Sequence, residues 1–155
     1  MARASVAGQL PQEGSDPLDG YVVENQVGFL LRRAHQRHAA LFLEGMTELD
    51  LTPTQFTALL KVVETGRVTQ NQLGRLVATD PATIQGVVRR LAARGLVQRT
   101  TDPMDRRTAV LAPTPEGRAL VRRAVTFARR ITEVTLEPLD AAERVRFLAL
   151  LRKLA

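Results

Sequence analysis

Two helix-start signals, Thr69 with Gln72 and Asp80 with Pro81, leave room between them for one short helix and a tight turn. The T-x-x-Q capping box places a helix start at Gln70. An N-cap carboxylate followed by proline at the first helical position starts a second helix at Pro81. Leu73, Leu76 and Val77 are expected to form the apolar face of the first helix. In the second, Ile84, Val87, Val88 and Leu91 recur at the i, i+3, i+4, i+7 spacing of one buried stripe. Gly95 ends it, as a helix C-cap glycine does. Two helices joined by a three-residue turn make a helix-turn-helix. The outward set of the second helix is Ala82, Thr83, Gln85, Gly86, Arg89 and Arg90. These side chains are small, hydrogen-bonding or cationic, which suits a helix lying in a DNA groove.

A hairpin follows. Leu96 to Thr100 and Thr108 to Ala112 read as strands around a turn-rich loop that carries Asp102-Pro103 and Asp105-Arg106-Arg107. A helix-turn-helix with such a hairpin is a winged helix. Arg106 and Arg107 at the tip suit a narrow, electronegative minor groove. Asp105 is expected to hold an arginine in pose, with Arg90 or Arg94 as partner. The alternative is an ordinary solvated turn. Arg75, close to the helix-turn-helix surface, is expected to meet phosphate.

The charge falls where this reading needs it. Residues 1–60 hold 4 basic and 7 acidic side chains, a net −3. Residues 61–130 hold 14 basic and 5 acidic, a net +9, which is the electrostatic footprint of a nucleic-acid-binding face. There is no cysteine, which excludes disulfides, thiolate catalysis and cysteine metal sites. No apolar run is long enough for a membrane span, and no basic-led apolar segment opens the chain. A cytoplasmic protein on the chromosome is therefore expected.

The flanks read as a dimerisation scaffold. Val23, Val27, Leu30, Leu31, Ala34, Leu41, Phe42 and Met46 mark a long first helix, from about Tyr21 to Glu48. Thr52-Pro53 with Gln55 caps a second helix, which carries Phe56, Leu59, Leu60 and Val63 and stops at Gly66. Thr114-Pro115 starts another, Pro138 and Asp140 mark a break, and Val145, Leu148, Leu151 and Leu154 line a last helix. A two-fold pairing of the terminal helices would bury stripes that one copy cannot. The alternative is that they pack on their own core. The expected architecture is mainly α. A polar arm over residues 1–19 precedes one domain over 20–155. Dimerisation helices at 20–50 and 114–155 frame a winged helix-turn-helix at 51–113 with a two- or three-stranded wing.

His35 and His38 lie near the apolar side of the first helix. With Arg32, Arg33, Phe42 and Phe56 they suit a pocket for an anionic aromatic ring: apolar walls with a few polar anchors. The competing reading is a pair of partly buried histidines at a helix or dimer interface. H-x-x-H supplies two metal ligands and no third completes a tetrahedral set, so neither a metal nor another cofactor is expected.

The order Leu51-Thr52-Pro53, Gln55-Phe56, Leu73-Gly74-Arg75-Leu76, Ala82-Thr83-Ile84, Val87-Val88-Arg89-Arg90-Leu91, Arg94-Gly95-Leu96-Val97, Asp102-Pro103, Asp105-Arg106-Arg107 and Thr114-Pro115-Glu116-Gly117 resembles the MarR family of bacterial transcriptional regulators. The resemblance runs from about Tyr21 to the C-terminus. It implies a homodimer that binds double-stranded operator DNA, as a repressor, and is released by a small ligand. The segments QVGFLLRRAHQRH and DPATIQGVVRRLAARGL look closest to the branch that controls aromatic-acid catabolism. That branch implies a small aromatic carboxylate or its CoA thioester as effector. Gly86 departs from the pattern, because the family often has a larger residue in the middle of the recognition helix. Two other classes stay in view. One is a winged helix that binds protein without reading DNA. The other is an enzyme, against which stands the lack of a catalytic triad, a phosphate-binding glycine loop or a paired-carboxylate motif.

Overall fold

The computed structural model describes Asp16, residues 18–101 and residues 109–154. The described residues through His35 form one unit, and those from Gln36 onward form a second. Helix α1 (Val27–Gly45) is flanked by short 3₁₀ turns at Val23–Asn25 and Thr47–Leu49. The single helix expected from about Tyr21 to Glu48 is therefore interrupted at both ends. Gln26 is extended, with ψ 138°, and Asp50 turns the chain with a left-handed φ of 47°. The Thr47 hydroxyl reaches the carbonyls of Leu43 at 2.8 Å and Glu44 at 3.0 Å, satisfying acceptors left open at the helix end.

The later helices begin on the capping residues named above. In α2 (Pro53–Thr65) and α3 (Gln70–Leu76) both hydrogen bonds of the capping box are made, from Thr52 and Gln55 and from Thr69 and Gln72. In α4 (Pro81–Ala93) the Thr83 N–H donates to Asp80 at 2.9 Å. In α5 (Pro115–Thr135) the Gly117 N–H donates to the Thr114 hydroxyl at 3.0 Å. In α6 (Ala141–Leu154) Asp140 and Glu143 exchange bonds of 2.8 and 2.9 Å. Each contact satisfies a first-turn N–H that the helix itself cannot.

Three strands complete the second unit: β1 (Val68–Thr69), β2 (Val97–Thr101) and β3 (Ala109–Pro113). They lie antiparallel in the order β1-β3-β2. β2 starts one residue later than expected, at Val97, and β3 runs on to Pro113, while Thr108 lies outside the described residues. β3 is central and buries Val110, Leu111 and Pro113, whereas β2 is an edge strand exposed from Gln98 onward. Leu59, Val62, Leu73, Ile84, Val87, Val88, Leu91 and Leu111 close the core with under 2% exposure. Leu76 does not join them. It is 49% exposed, so the apolar face of α3 consists of Leu73 and the half-buried Val77.

Two glycines let elements approach. A Cβ on Gly45 would meet the Ile131 side chain at 2.9 Å, so α1 sits directly on α5 there. A Cβ on Gly117 would lie 2.0 Å from the Leu96 carbonyl oxygen. That carbonyl accepts the Thr114 N–H at 3.2 Å, and the Thr114 hydroxyl donates to Gly95 at 2.7 Å. The end of the second helix-turn-helix segment is thereby tied to the first turn of α5. No helix among the described residues is long and apolar enough to cross a membrane.

Candidate nucleic-acid interface

The turn between α3 and α4 closes through backbone bonds from Ala78 to Arg75 (3.3 Å) and from Thr79 to Gly74 (2.9 Å). Ala78 takes a left-handed φ of 50°, a conformation that costs a non-glycine residue about 1 kcal/mol. The α3–α4 packing holds it there. Hydrogen bonds from Thr83, side chain and backbone, hold the Asp80 carboxyl below its ordinary range. It is therefore ionised at neutral pH and caps the positive end of α4.

The stripe Ile84, Val87, Val88 and Leu91 is fully buried against the core. The opposite face stands clear: Ala82, Thr83, Gln85, Arg89 and Arg90 are exposed and Gly86 is half-buried. Arg75 is exposed between two clefts. One is lined with Asn71, Ala78 and Thr79, the other with Arg67, Gln72 and Leu76. A third cleft, of about 380 Å³, separates α4 from β2 and is lined by Ala82, Gln85, Gly86, Arg89, Ala92 and Arg99. Among the described residues, the charged side chains lining these three clefts are all arginines. Arg67 and Arg99 are among them although the sequence reading did not single them out. The period-2 pattern of β2 is too short to mark Arg99. Asp105, Arg106 and Arg107 lie outside the described residues.

Arg94 has a role the sequence did not show. Its guanidinium donates to the Leu49 carbonyl at 2.9 Å and to the Asp50 carbonyl, and lies 3.7 Å from the Asp50 carboxylate. It anchors the end of α4 to the turn that precedes α2. Arg94→Ala is expected to cost about 1–2 kcal/mol, because it strips a partner from the carbonyl of Leu49, which is buried. Urea unfolding measures this. An unchanged midpoint would assign the anchor no weight.

The residues proposed for an aromatic ligand divide between the two units. In the first, Arg32 and Arg33 lie 5.3 and 5.9 Å from the Phe29 ring centroid, in cation–π geometry, and His35 is exposed. In the second, His38, Phe42 and Phe56 form a chain of rings with centroids 6.4 and 5.9 Å apart. His38 Nδ1 is 3.0 Å from the Thr135 hydroxyl, whose own proton goes to the Ile131 carbonyl at 2.7 Å. The hydroxyl must therefore accept, so Nδ1 carries hydrogen and Nε2 is left for another partner. Beside it, Arg37 donates to the carbonyls of Thr135 (3.0 Å) and Val134 (3.2 Å) at the negative end of α5. Among the described residues, no group of three or more His, Asp or Glu side chains converges as a metal site would.

A helix-turn-helix with a free cationic recognition face and a β-hairpin beside it defines a winged-helix DNA-binding protein. Comparison with known proteins gives the same class. The MarR family model matches residues 51–109. The chain is 44% identical over 142 residues to the HTH-type transcriptional repressor NicR of Pseudomonas putida, which covers 90% of each. A probable transcriptional regulator from Pseudomonas aeruginosa superposes with TM-score 0.83 at 47% identity, covering 86% of this chain and all of that one. Bordetella bronchiseptica BpsR, whose DNA binding is regulated by 6-hydroxynicotinic acid, superposes with TM-score 0.83 at 43% identity, covering 86% and 96%. The chain belongs to the MarR family and is a DNA-binding transcriptional regulator.

Proposed function

We propose that this protein is a homodimeric, non-enzymatic repressor acting on the chromosome in the cytoplasm. A small hydroxylated aromatic carboxylate, of the type represented by 6-hydroxynicotinic acid, lowers its operator affinity. The similarity to BpsR over 86% of the chain carries this reading. The ring cluster supports it: the half-buried Phe56 offers an apolar edge and His38 Nε2 a polar anchor beside Phe42, which is itself packed in the core. Dimerisation is supported by apolar side chains left open in each unit. In the first, Val27 is 66% and Leu30 52% exposed; in α6, Val145 is 71% and Leu154 73% exposed. A second copy would cover them.

Release requires the acid to bind a dimer whose half-site spacing misfits the groove more tightly than the DNA-competent dimer. A tenfold loss of operator affinity needs about 1.4 kcal/mol of such preference. Linkage requires operator DNA to weaken the acid's binding by the same factor. The test is calorimetry with 6-hydroxynicotinate, benzoate, hydroxybenzoate and cinnamate derivatives and their CoA thioesters, paired with gel-shift titration and sedimentation. A free acid is expected to bind and to raise the operator Kd, and the protein to sediment as a dimer. His38→Ala is expected to weaken that response, and Arg33→Ala separately tests the carboxylate partner expected from the sequence. If no acid or thioester alters DNA binding, the effector class is wrong. A monomer at micromolar concentration would remove the two-fold reading.

A further inference from the structure

Among the arginines outside the recognition helix, Arg99 has a placement that the helix-turn-helix does not explain. It projects from edge strand β2 into the 380 Å³ cleft whose other wall is α4. The lining of that cleft is selective. Ala82, Gly86 and Ala92 extend no further than Cβ, so the α4 wall is low at those positions, while Gln85, Arg89 and Arg99 supply its polar groups. Among the described residues, no carboxylate lines it. The backbone of Arg99 is held in register opposite Leu111, which is 1% exposed, so its base is fixed by the core. Arg99 itself is exposed.

A recognition helix in the major groove and a wing in the neighbouring minor groove lie on opposite sides of one sugar–phosphate strand. That strand must pass between helix and wing. The cleft is lined by both α4 and β2, and its chemistry matches a phosphate rail: a low floor of small residues with Gln85, and guanidinium at the edge. A guanidinium fork fits a phosphate by charge-assisted, bidentate hydrogen bonds.

We propose that Arg99 is a phosphate-clamping residue that seats the DNA backbone between the recognition helix and the wing. The proposal rests on the operator-binding reading. The clamp sets how deeply and in which register α4 enters the groove, and it carries no base information itself. The experiment uses the full-length protein and an operator selected by the wild type from a random duplex library. Affinity is measured against salt concentration for wild type, Arg99→Ala and Arg99→Lys, and each is then titrated on single-base operator variants. Arg99→Ala is expected to bind about tenfold more weakly at low salt, with the salt slope reduced by about 0.9, the signature of one lost phosphate contact. Its loss should be equal across the base variants, and Arg99→Lys should restore the slope. A changed base preference in Arg99→Ala would make it a base reader, and a wild-type slope and affinity would leave the cleft without a role. Either overturns the clamp. If the wild type selects no preferred duplex, the operator-binding reading itself fails, and the clamp with it.

Discussion

Gly117→Ala is expected to destabilise the protein by about 3 kcal/mol, at the upper end of what overpacking costs. The added methyl carbon would lie 2.0 Å from the Leu96 carbonyl oxygen and 3.0 Å from its carbon. Both are backbone atoms, so no side chain can swing aside to make room. Leu96 cannot retreat cheaply either, because its N–H is bonded to Leu91 at 3.0 Å and its carbonyl to Thr114 at 3.2 Å. Relief therefore requires the first turn of α5 to move away from the end of α4. That motion pulls the Thr114 hydroxyl off Gly95 and opens the junction that seats the wing. Thermal melting should show a drop of about 6–12 °C for a domain of this size. A melting point within about 2 °C of wild type would mean that the α4–α5 junction is loose.

Gly86 should behave in the opposite way, and two substitutions separate its roles. A Cβ there meets only the end of the Arg90 side chain, at 3.7 and 3.8 Å, which is ordinary contact. Gly86→Ala should therefore recover about 0.5–1 kcal/mol of helix stability. Gly86→Leu should also fold, since the Cβ position is open and the residue lines the cleft facing Arg99. On DNA the outcome differs. If the sugar–phosphate strand runs through this cleft as proposed, a leucine fills its path, and operator affinity should fall tenfold to a hundredfold, about 1.4–2.8 kcal/mol. Melting curves and gel-shift titrations on the same three proteins test both. A leucine variant that folds normally and binds like wild type would show that the glycine has no part in DNA approach.

What the sequence determined by itself is local. The caps at Thr52, Thr69, Asp80 and Thr114, the stops at Gly66 and Gly95 and the stripe from Ile84 to Leu91 each depend on residues within about two turns of one another. Propensity and periodicity within that window suffice to place a helix and choose its buried face. The outward set of α4 follows as the complement of that stripe, which is why the exposed face of α4 was legible. The tertiary structure alone decided the rest. Leu76 reads as apolar-face by spacing, yet in the fold it lines an open cleft with Thr65, Arg67 and Val68. Arg94 finds Leu49 and Asp50 some 45 residues away, and His38 finds Thr135 at a separation of 97. Gly117 looks like any helix-start glycine until the Leu96 carbonyl is placed beside it. Arg99 is one polar residue on a short strand until α4 forms the other wall of its cleft. These contacts join elements whose relative placement follows from packing the whole core, and no short window of sequence carries that information.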